Sequence, residues 1–345
     1  MFSAALFLKG NHMLETGKLP HELLDRLIRS YPGATDPRVK AGPAVGMDAA
    51  VIDAGDTYIV AASDPVTFTD AEAGWYCVHV NANDVACMGA VPKWFFITVL
   101  LPARAADEKT VESVFSSVHR ACTETGISVC GGHTEVTHGI DRPLVCGHMI
   151  GEADKEKLVL PSNAQEGDTV ILAGGAAVEA TSIIAREKEQ TLRKRGYGES
   201  VISECADYIY NPGISVVREA AIALKTAQVH AMHDPTEGGI RTGLWELAEA
   251  CGMGIEVYPE RIFCSENTRR LCAEFDIDPL GAISSGALLI ALHPSDAEAL
   301  RERFEEEGIA SATVASFKPL QFGRKTDTGA EVEYSVKDEI TKLFG

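Results

Sequence analysis

The stretch Val80-Asn-Ala-Asn-Asp-Val-Ala-Cys-Met-Gly-Ala-Val-Pro92 joins two segments of different periodicity. Before it, small and apolar residues recur at helical intervals through residues 71–89. After it, the β-branched and aromatic residues of 94–101 predict a strand, and Gly89-Ala-Val-Pro92 separates the two elements. The sequence therefore predicts a helix, a sharp break and a strand at this point, with Asp84 on the helix.

Further elements follow on both sides of this stretch. The sequence predicts helices at 19–30, 107–125, from the turn after 173 to about 190, and at 214–226, 239–251, 266–275 and 295–307. It predicts strands at 49–53, 57–62, 127–130, 144–150, 169–173, 254–257, 287–292 and 313–317, the first two as a hairpin. Strands and helices mix without the strict alternation of a doubly wound fold, which indicates the α+β class and two domains. The polar stretch 151–167 contains Pro161 and separates a domain at 13–155 from one at 166–345. Residues 1–12 are interpreted as an upstream extension, because Met13 opens a better-patterned segment.

The amino-acid composition argues against some classes of binding partner. The chain has 345 residues, and 31 Lys+Arg against 50 Asp+Glu leave a net charge of −19. Such a surface repels phosphate backbones and anionic lipid, so neither nucleic acid nor a membrane is an expected partner. The apolar run 94–101 is much shorter than the roughly 20 residues that span a bilayer. Nine cysteines without a Cys-x-x-Cys pair indicate reduced thiols, a cytoplasmic protein and no structural zinc.

Three aspartates share a context that favours a metal. Asp48 lies in Gly46-Met-Asp-Ala-Ala50, Asp64 follows the strand 57–62, and Asp84 lies on the helix described above. Carboxylates at strand ends are ligands that suit Mg²⁺, which would also offset the repulsion between an acidic site and a nucleotide triphosphate. Each aspartate alone is better explained as a turn or helix residue; their joint occurrence favours the metal hypothesis.

Three glycine turns form a second signal. Gly131-Gly-His-Thr-Glu135 and Gly174-Gly-Ala-Ala-Val-Glu-Ala-Thr181 follow strands, and Asp234-Pro-Thr-Glu-Gly-Gly239 opens a helix. At a helix start after a strand, free backbone amides can face an anion. None of the three is a Walker A loop or a dinucleotide-binding motif, and a glycine after a strand is as often a simple tight connection.

Four other residues have alternative interpretations. His133 is a candidate acid, base or phosphate contact, and equally a structural histidine. Lys18, in Thr16-Gly-Lys-Leu-Pro20, is a candidate to fold over an anion, and equally an exposed lysine. Cys87 and Cys130 are interpreted as small packed residues, because the sequence offers no partnered histidine.

Taken in order, these motifs resemble the aminoimidazole ribonucleotide (AIR) synthase superfamily, and most of all the HypE-like and AIR synthase-related proteins in it. The motifs are Gly46-Met-Asp-Ala-Ala-Val-Ile-Asp53, Ala62-Ser-Asp64, the stretch 80–92, Gly131-Gly-His-Thr-Glu135 and His233-Asp-Pro-Thr-Glu-Gly-Gly239. The resemblance implies an N-terminal domain that forms an intersubunit β-barrel in a homodimer, and a C-terminal α/β sandwich beside it. It also implies ATP and Mg²⁺ in a cleft near the subunit interface, and phosphorylation of a carbonyl or amide oxygen.

The resemblance also assigns roles to residues of this sequence. The implied metal ligands are Asp48, Asp64 and Asp84, and the implied nucleotide-binding residues are Asn83, Gly131, Gly132, Asp234, Thr236, Gly238 and Gly239. Asp64, Asp84, His133 and Lys18 are the candidate catalytic residues. The substrate is expected to be a small molecule or a maturation partner protein.

Departures from the family pattern leave the activity open. Met47 replaces a frequent acidic residue, and Ala177 and Ala180 replace glycines in the second turn. HypE proteins carry a C-terminal cysteine that becomes carbamoylated, whereas this sequence ends Lys342-Leu-Phe-Gly345, so we expect no such reaction of the chain on itself. The alternatives to an ATP-dependent enzyme of the HypE type are a kinase similar to thiamine-monophosphate kinase, and a non-catalytic nucleotide-binding or hydrogenase-maturation partner protein.

Overall fold

The computed structural model of the chain describes residue 14, residues 17–66 and residues 72–344. The strands are β1 (Val39–Ala41), β2 (Ala50–Asp53), β3 (Thr57–Ala62), β4 (Pro65–Val66), β5 (Val91–Pro102), β6 (Ser128–Thr137), β7 (Leu144–Asp154), β8 (Thr169–Ala173), β9 (Val229–His233), β10 (Gly254–Val257), β11 (Leu288–Leu292), β12 (Ser311–Lys318) and β13 (Arg324–Thr326). The α-helices are α1 (His21–Ser30), α2 (Ala73–Cys87), α3 (Glu108–Thr125), α4 (Val178–Glu187), α5 (Glu189–Lys194), α6 (Glu199–Ala206), α7 (Val217–Thr226), α8 (Gly239–Cys251), α9 (Glu266–Glu274) and α10 (Pro294–Glu306). The predicted extension 1–12, the predicted domain start at Met13 and the final Gly345 lie outside the described residues.

The first sheet has the strand order β1-β2-β3-β7-β5-β6, with β4 paired to β7. The predicted hairpin is confirmed, because β2 pairs antiparallel with β3 from Ala50 opposite Ala61. Strands β5 and β6 run parallel and are connected through α3. That helix begins where the sequence predicts, since the Asp107 carboxylate accepts a hydrogen bond from the Thr110 amide.

The second sheet has the order β13-β10-β12-β8-β11-β9 and is covered on both faces. Its central strands β8 and β11 are buried throughout, as their continuous apolar sequences require. On one face, Val170 and Leu172 pack with Leu244 of α8. On the other, Ile171 packs with residues of α7 and α10, including Phe304. The second half of the chain is therefore a helix–sheet–helix sandwich, and the α+β class is confirmed.

Helix α2 joins the two halves. All of its residues except Val80 are buried. On one side it packs closely against β7 at Gly147, where an added Cβ would lie 2.5 Å from the Asn81 amide nitrogen. On the other side, the Trp75 indole N–H donates to the Ile209 carbonyl at 3.2 Å. A helix buried on all sides has no polar face, which explains why its sequence is apolar and small rather than amphipathic.

The structure corrects the prediction of a loop at 131–135. These residues lie inside β6 and pair with β5, His133 opposite Thr98. Gly132 comes so close to the neighbouring strand that an added Cβ would lie 1.9 Å from the Ile97 carbonyl oxygen. Glycine is needed here for close packing of strands and not for a turn.

Strand β9 and helices α5 and α6 were not predicted. The β9 sequence, Val-His-Ala-Met-His, has little of the β-branched content that marks a strand. None of the described helices is long and apolar enough to cross a membrane.

Candidate active site

Asp64 and Asp84 meet at the junction of the first sheet and α2. The Asn81 side chain accepts a hydrogen bond from the Asp64 amide at 2.8 Å and donates one to the Asp64 carbonyl at 3.1 Å. These bonds fix the backbone at Asp64. Asp84 lies three residues after Asn81 on α2, on the same helix face, and its carboxyl group is close enough to that of Asp64 for each to shift the pKa of the other. Two of the three predicted aspartates are thus brought together.

The third predicted aspartate, Asp48, lies in a group with Cys87 and Asp234. One ligand atom from each of these side chains lies within 4.8 Å of the other two. The Cys87 thiol donates to an Asp234 carboxylate oxygen at 3.5 Å. Asp48 precedes β2, Cys87 is the last residue of α2, and Asp234 follows β9, so folding gathers three distant segments from both domains. We call Asp48, Asp64, Asp84, Cys87 and Asp234 the acidic site.

The acidic site disfavours the ionised forms of its buried carboxyl groups. Burial, and then the charges of neighbouring carboxylates, raise the pKa values of Asp84 and Asp234 well above their ordinary range. One carboxylate oxygen each of Asp48, Asp84 and Asp234 is buried and accepts no hydrogen bond from the described residues. Asp84 and Cys87 also lie in the last turn of α2, where the helix dipole disfavours negative charge. Oxygen donors that converge without partners at a negative helix end fit a divalent cation.

A chain of ion pairs supports Asp48 from behind. His233 contacts an Asp48 carboxylate oxygen through Nδ1 at 2.8 Å and Glu246 through Nε2 at 3.2 Å. Burial opposes the charged imidazole, but Asp48 and Glu246 together raise the pKa of His233 well above its ordinary value. Lys18 then contacts Glu246 at 3.4 Å and Glu237 at 3.8 Å. The predicted residue Lys18 thus reaches the acidic site indirectly, through Glu246 and His233.

A cleft between the two domains opens beside Asp64. Its lining residues are Asp64, Pro65, Val66, Tyr76 and Val80 from the first domain, and Glu179, Thr236, Glu237, Ile283 and Ser285 from the second. Glu179 is buried, which raises its pKa to about 8, and its Oε2 has no hydrogen-bond partner among the described residues. Glu179 can therefore present a protonated carboxyl group to a molecule in this cleft at neutral pH.

The structure separates His133, Gly131 and Gly132 from the acidic site. His133 is opposite Thr98 of β5, Thr98 is opposite Cys146 of β7, and Cys146 is opposite Pro65, the residue after Asp64. Three strand spacings correspond to roughly 14 Å. His133 is exposed and contacts Glu135 at 3.0 Å. Within one chain, Gly131, Gly132 and His133 therefore do not reach the aspartates, because they lie on an edge strand of the sheet, and their roles toward a nucleotide stay predictions.

Asn83 and the glycine turns also differ from expectation. The Asn83 amide donates to the Ile214 carbonyl and accepts from the Val216 amide, both at 2.8 Å, so its polar groups join α2 to the second domain. The Gly238 amide donates to Asp338, and the Gly239 amide to the Thr236 carbonyl. In the turn at 174–181, the Ala177 amide donates to the Ser284 hydroxyl. These three amides donate to acceptors within the protein, and contact of the turns with an anion stays a prediction.

Sequence comparison covers most of the chain with two matched domains. Residues 46–153 match the AIR synthase related protein N-terminal domain, and residues 165–316 match the C-terminal domain of the same family. The chain belongs to the AIR synthase related family.

Relatives of this AIR synthase related chain have several activities in their names. A Methanocaldococcus jannaschii protein named for hydrogenase expression and formation is 28% identical over 334 residues, 95% of this chain and 94% of that one. Carbamoyl dehydratase HypE of Escherichia coli is 27% identical and covers 70% of this chain and 68% of its own length. Thiamine-monophosphate kinase of Pyrococcus horikoshii is 26% identical, with coverages of 70% and 74%.

Solved structures share the fold of this AIR synthase related chain. AaThiL complexed with AMPPCP and TMP superposes with a TM-score of 0.71 and 19% identity, covering 94% of this chain and 98% of the other. Hydrogenase maturation protein HypE in complex with ATP gives a TM-score of 0.68 at 22% identity, with coverages of 92% and 93%. At these identities the likeness establishes the fold alone.

Three residues around the acidic site of this AIR synthase related chain were not predicted as site residues: Asn81, His233 and Glu246. A signal existed for Asn81, because it lies three residues before Asp84 on one predicted helix. His233 and Glu246 gave no such signal, since Asp48, the partner of His233, is 185 residues away and Lys18, a partner of Glu246, is 228 residues away in the chain.

Proposed function

We propose that this chain is an ATP- and Mg²⁺-dependent enzyme that phosphorylates a carbonyl or amide oxygen of an acceptor molecule. The observation that carries the proposal is the acidic site, where buried carboxylates from both domains converge with unpartnered oxygens. The names of the relatives add support, since they include a kinase and a carbamoyl dehydratase, and similar folds were solved with ATP or AMPPCP.

In this proposal the acidic site holds the metal and the cleft holds the acceptor. Asp48, Asp84 and Asp234, together with Asp64, are the ligands we assign to Mg²⁺, which when bound would offset the charge of the triphosphate oxygens. The cleft beside Asp64 then positions the acceptor oxygen, with Thr236 on its wall. Positioning and charge neutralisation would account for most of the rate enhancement.

We also propose that the chain forms a homodimer through β6. Every residue from Ser128 to Val136 is exposed, and Val129 and Val136 remain 51% and 58% exposed. In the described part of the chain, β6 pairs with β5 on one side only. A long unpaired edge with apolar side chains is suited to pairing with a second copy, which would give the intersubunit β-barrel. In this proposal, residues 13–155 form the domain that binds ATP and Mg²⁺ and dimerises, and residues 166–345 form the second domain.

A kinase that leaves a stable phosphorylated product is the second candidate. It is favoured by the identity to thiamine-monophosphate kinase and by the fold shared with a structure that contains TMP. The two candidates differ in what is released: a stable phosphate ester indicates the kinase, whereas free phosphate with a modified acceptor indicates activation of an oxygen as a leaving group. A maturation partner protein is a further acceptor to test, because a HypE–HypF complex shares this fold.

The test is ATP turnover with Mg²⁺ across a panel of small-molecule acceptors, including thiamine monophosphate and carbamoylated compounds. Wild type is compared with Asp64→Asn and Asp84→Asn, and with the control Asp154→Asn, whose exposed carboxylate only contacts Lys157. We expect about a 10- to 100-fold loss of turnover in the first two variants and no loss in the control.

Two outcomes would count against the proposal. Undiminished turnover in both Asp64→Asn and Asp84→Asn would remove the acidic site from the reaction. Calorimetry that detects ATP binding, together with no turnover on any acceptor, would support a non-catalytic nucleotide-binding protein instead.

A further inference from the structure

Cys87 belongs to the apolar cluster that includes Val159 and Val216, and its sulfur also faces the acidic site. Its sulfur lies 3.5 Å from an Asp234 oxygen and within 4.8 Å of a carboxylate oxygen of Asp48. The residue is fully buried at the end of α2. The Cys87 side chain therefore lies between an apolar cluster and the acidic site, with its sulfur beside two carboxyl groups.

Two further features show that this group of atoms is prepared for a ligand. Asp234 is 2% exposed, and its Oδ2 has no hydrogen-bond partner among the described residues. Asp48 is bonded by His233 through one oxygen, while its other oxygen is buried and also lacks a partner in the described structure. One oxygen of Asp48 is thus held by His233, which is the arrangement in which a surrounding residue orients a metal ligand, and each of the two carboxyl groups keeps one oxygen without a partner among the described residues.

We propose that Asp48, Cys87 and Asp234 form a mixed thiolate–carboxylate site that binds a borderline dication, Mn²⁺, Co²⁺ or Zn²⁺, more tightly than Mg²⁺. The proposal deepens the metal assignment made under the proposed function and rests on it. Mg²⁺ prefers oxygen ligands, and a thiolate raises affinity for softer metals. Mg²⁺ would use only the carboxylate oxygens of the acidic site, as assigned under the proposed function, and would not need the Cys87 sulfur.

Binding at this site exchanges a proton for a metal bond. The S–H bond of Cys87 breaks, its proton leaves to solvent, and the sulfur electron pair forms the metal–sulfur bond. No electron is transferred, and the two carboxylates complete the protein ligand set.

The test uses the purified full-length protein and metal alone, without ATP. Titration with Co²⁺ is expected to produce a thiolate-to-cobalt charge-transfer band in the near ultraviolet. The conservative variant Cys87→Ser should lose the band and bind Co²⁺ at least about tenfold more weakly, while Mg²⁺ affinity changes by less than about twofold. Cys130→Ser is the matched control, because Cys130 is an exposed cysteine on β6, and it should retain the band.

A measurement on wild type alone keeps the proposal testable even if Cys87→Ser folds poorly. X-ray absorption at the zinc edge should show one sulfur neighbour at about 2.3 Å, with the remaining neighbours being oxygen. Absence of both the charge-transfer band and the sulfur neighbour in wild type would overturn the proposal, as would a band that persists in Cys87→Ser. Metal binding with these signatures but without ATP turnover would refute the proposed function and leave this site standing.

Discussion

Replacing Glu179 with glutamine should remove a large pH dependence from the stability of this protein. Glu179 is 5% exposed in the inter-domain cleft, and burial raises its pKa to about 8 from an ordinary value of 4.5. The folded state therefore keeps a proton that the unfolded state has already lost above pH 4.5. Stability contributed by this group is complete below pH 4.5 and decreases as the pH rises towards about 8.

The size of the effect follows from the two pKa values. They differ by about 3.5 pH units, and each unit corresponds to about 1.36 kcal/mol, so the full window amounts to about 5 kcal/mol. Between pH 6 and pH 8, Glu179 alone should lower the free energy of unfolding by about 2–3 kcal/mol. Glutamine has nearly the same shape and does not titrate, so the variant should lack this decrease.

The assay is urea unfolding at pH 5, 6, 7 and 8 in EDTA, with wild type, Glu179→Gln and the control Glu298→Gln measured together. Glu298 is an exposed residue of α10 that contacts Arg301. Other groups titrate in the same range, so the informative quantity is the difference between wild type and variant at each pH. Parallel curves for wild type and Glu179→Gln from pH 6 to pH 8 would refute the reasoning.

Three further predictions concern the acidic site and its supports. Asp84→Asn should raise the free energy of unfolding by about 1–2 kcal/mol at pH 8 in EDTA, because a buried carboxylate beside other carboxylates is disfavoured. The same variant should abolish the stabilisation by Mg²⁺–ATP that thermal denaturation measures. Stabilisation by Mg²⁺–ATP equal to that of wild type would contradict this prediction. Lys18→Met should lower the free energy of unfolding in urea by about 1–2 kcal/mol, because buried Glu246 loses a partner. The control Lys155→Met breaks a surface ion pair and should lower it by less than about 0.5 kcal/mol. Equal losses in the two variants would show that burial does not matter here. Gly147→Ala should cost about 1–3 kcal/mol, because the new methyl group would lie 2.5 Å from the Asn81 side-chain amide nitrogen and 2.8 Å from the Cys77 sulfur. Gly42→Ala, whose new methyl group would meet only a Val39 methyl group at 3.7 Å, should be nearly neutral in the same assay. A neutral Gly147→Ala would show that α2 can move away from β7.

Most of the secondary structure could be predicted from the sequence, because it follows from local periodicity. Helix α8 and strand β10 begin and end at the residues that were predicted, and the Asp107 cap and the β2–β3 hairpin are present. The error at 131–135 has a physical cause: glycine signals a turn when read locally, but here it permits the close approach of β5, which local sequence does not reveal. Strand β9 was not predicted, because it forms through pairing with β11 and its residues have little intrinsic preference for a strand.

For the candidate site, the residues that offer chemistry could be recognised from the sequence: three aspartates in small, apolar surroundings and Asp234 before a glycine turn. Which of these residues meet depends on the packing of the folded chain. It placed Asp48, Cys87 and Asp234 within 4.8 Å, and it left His133 on a distant edge strand. It also recruited His233 and Glu246, whose partners come from other parts of the chain. Local sequence controls backbone preference over a few residues, whereas a buried charge is stabilised by whatever group the packing of two domains brings beside it.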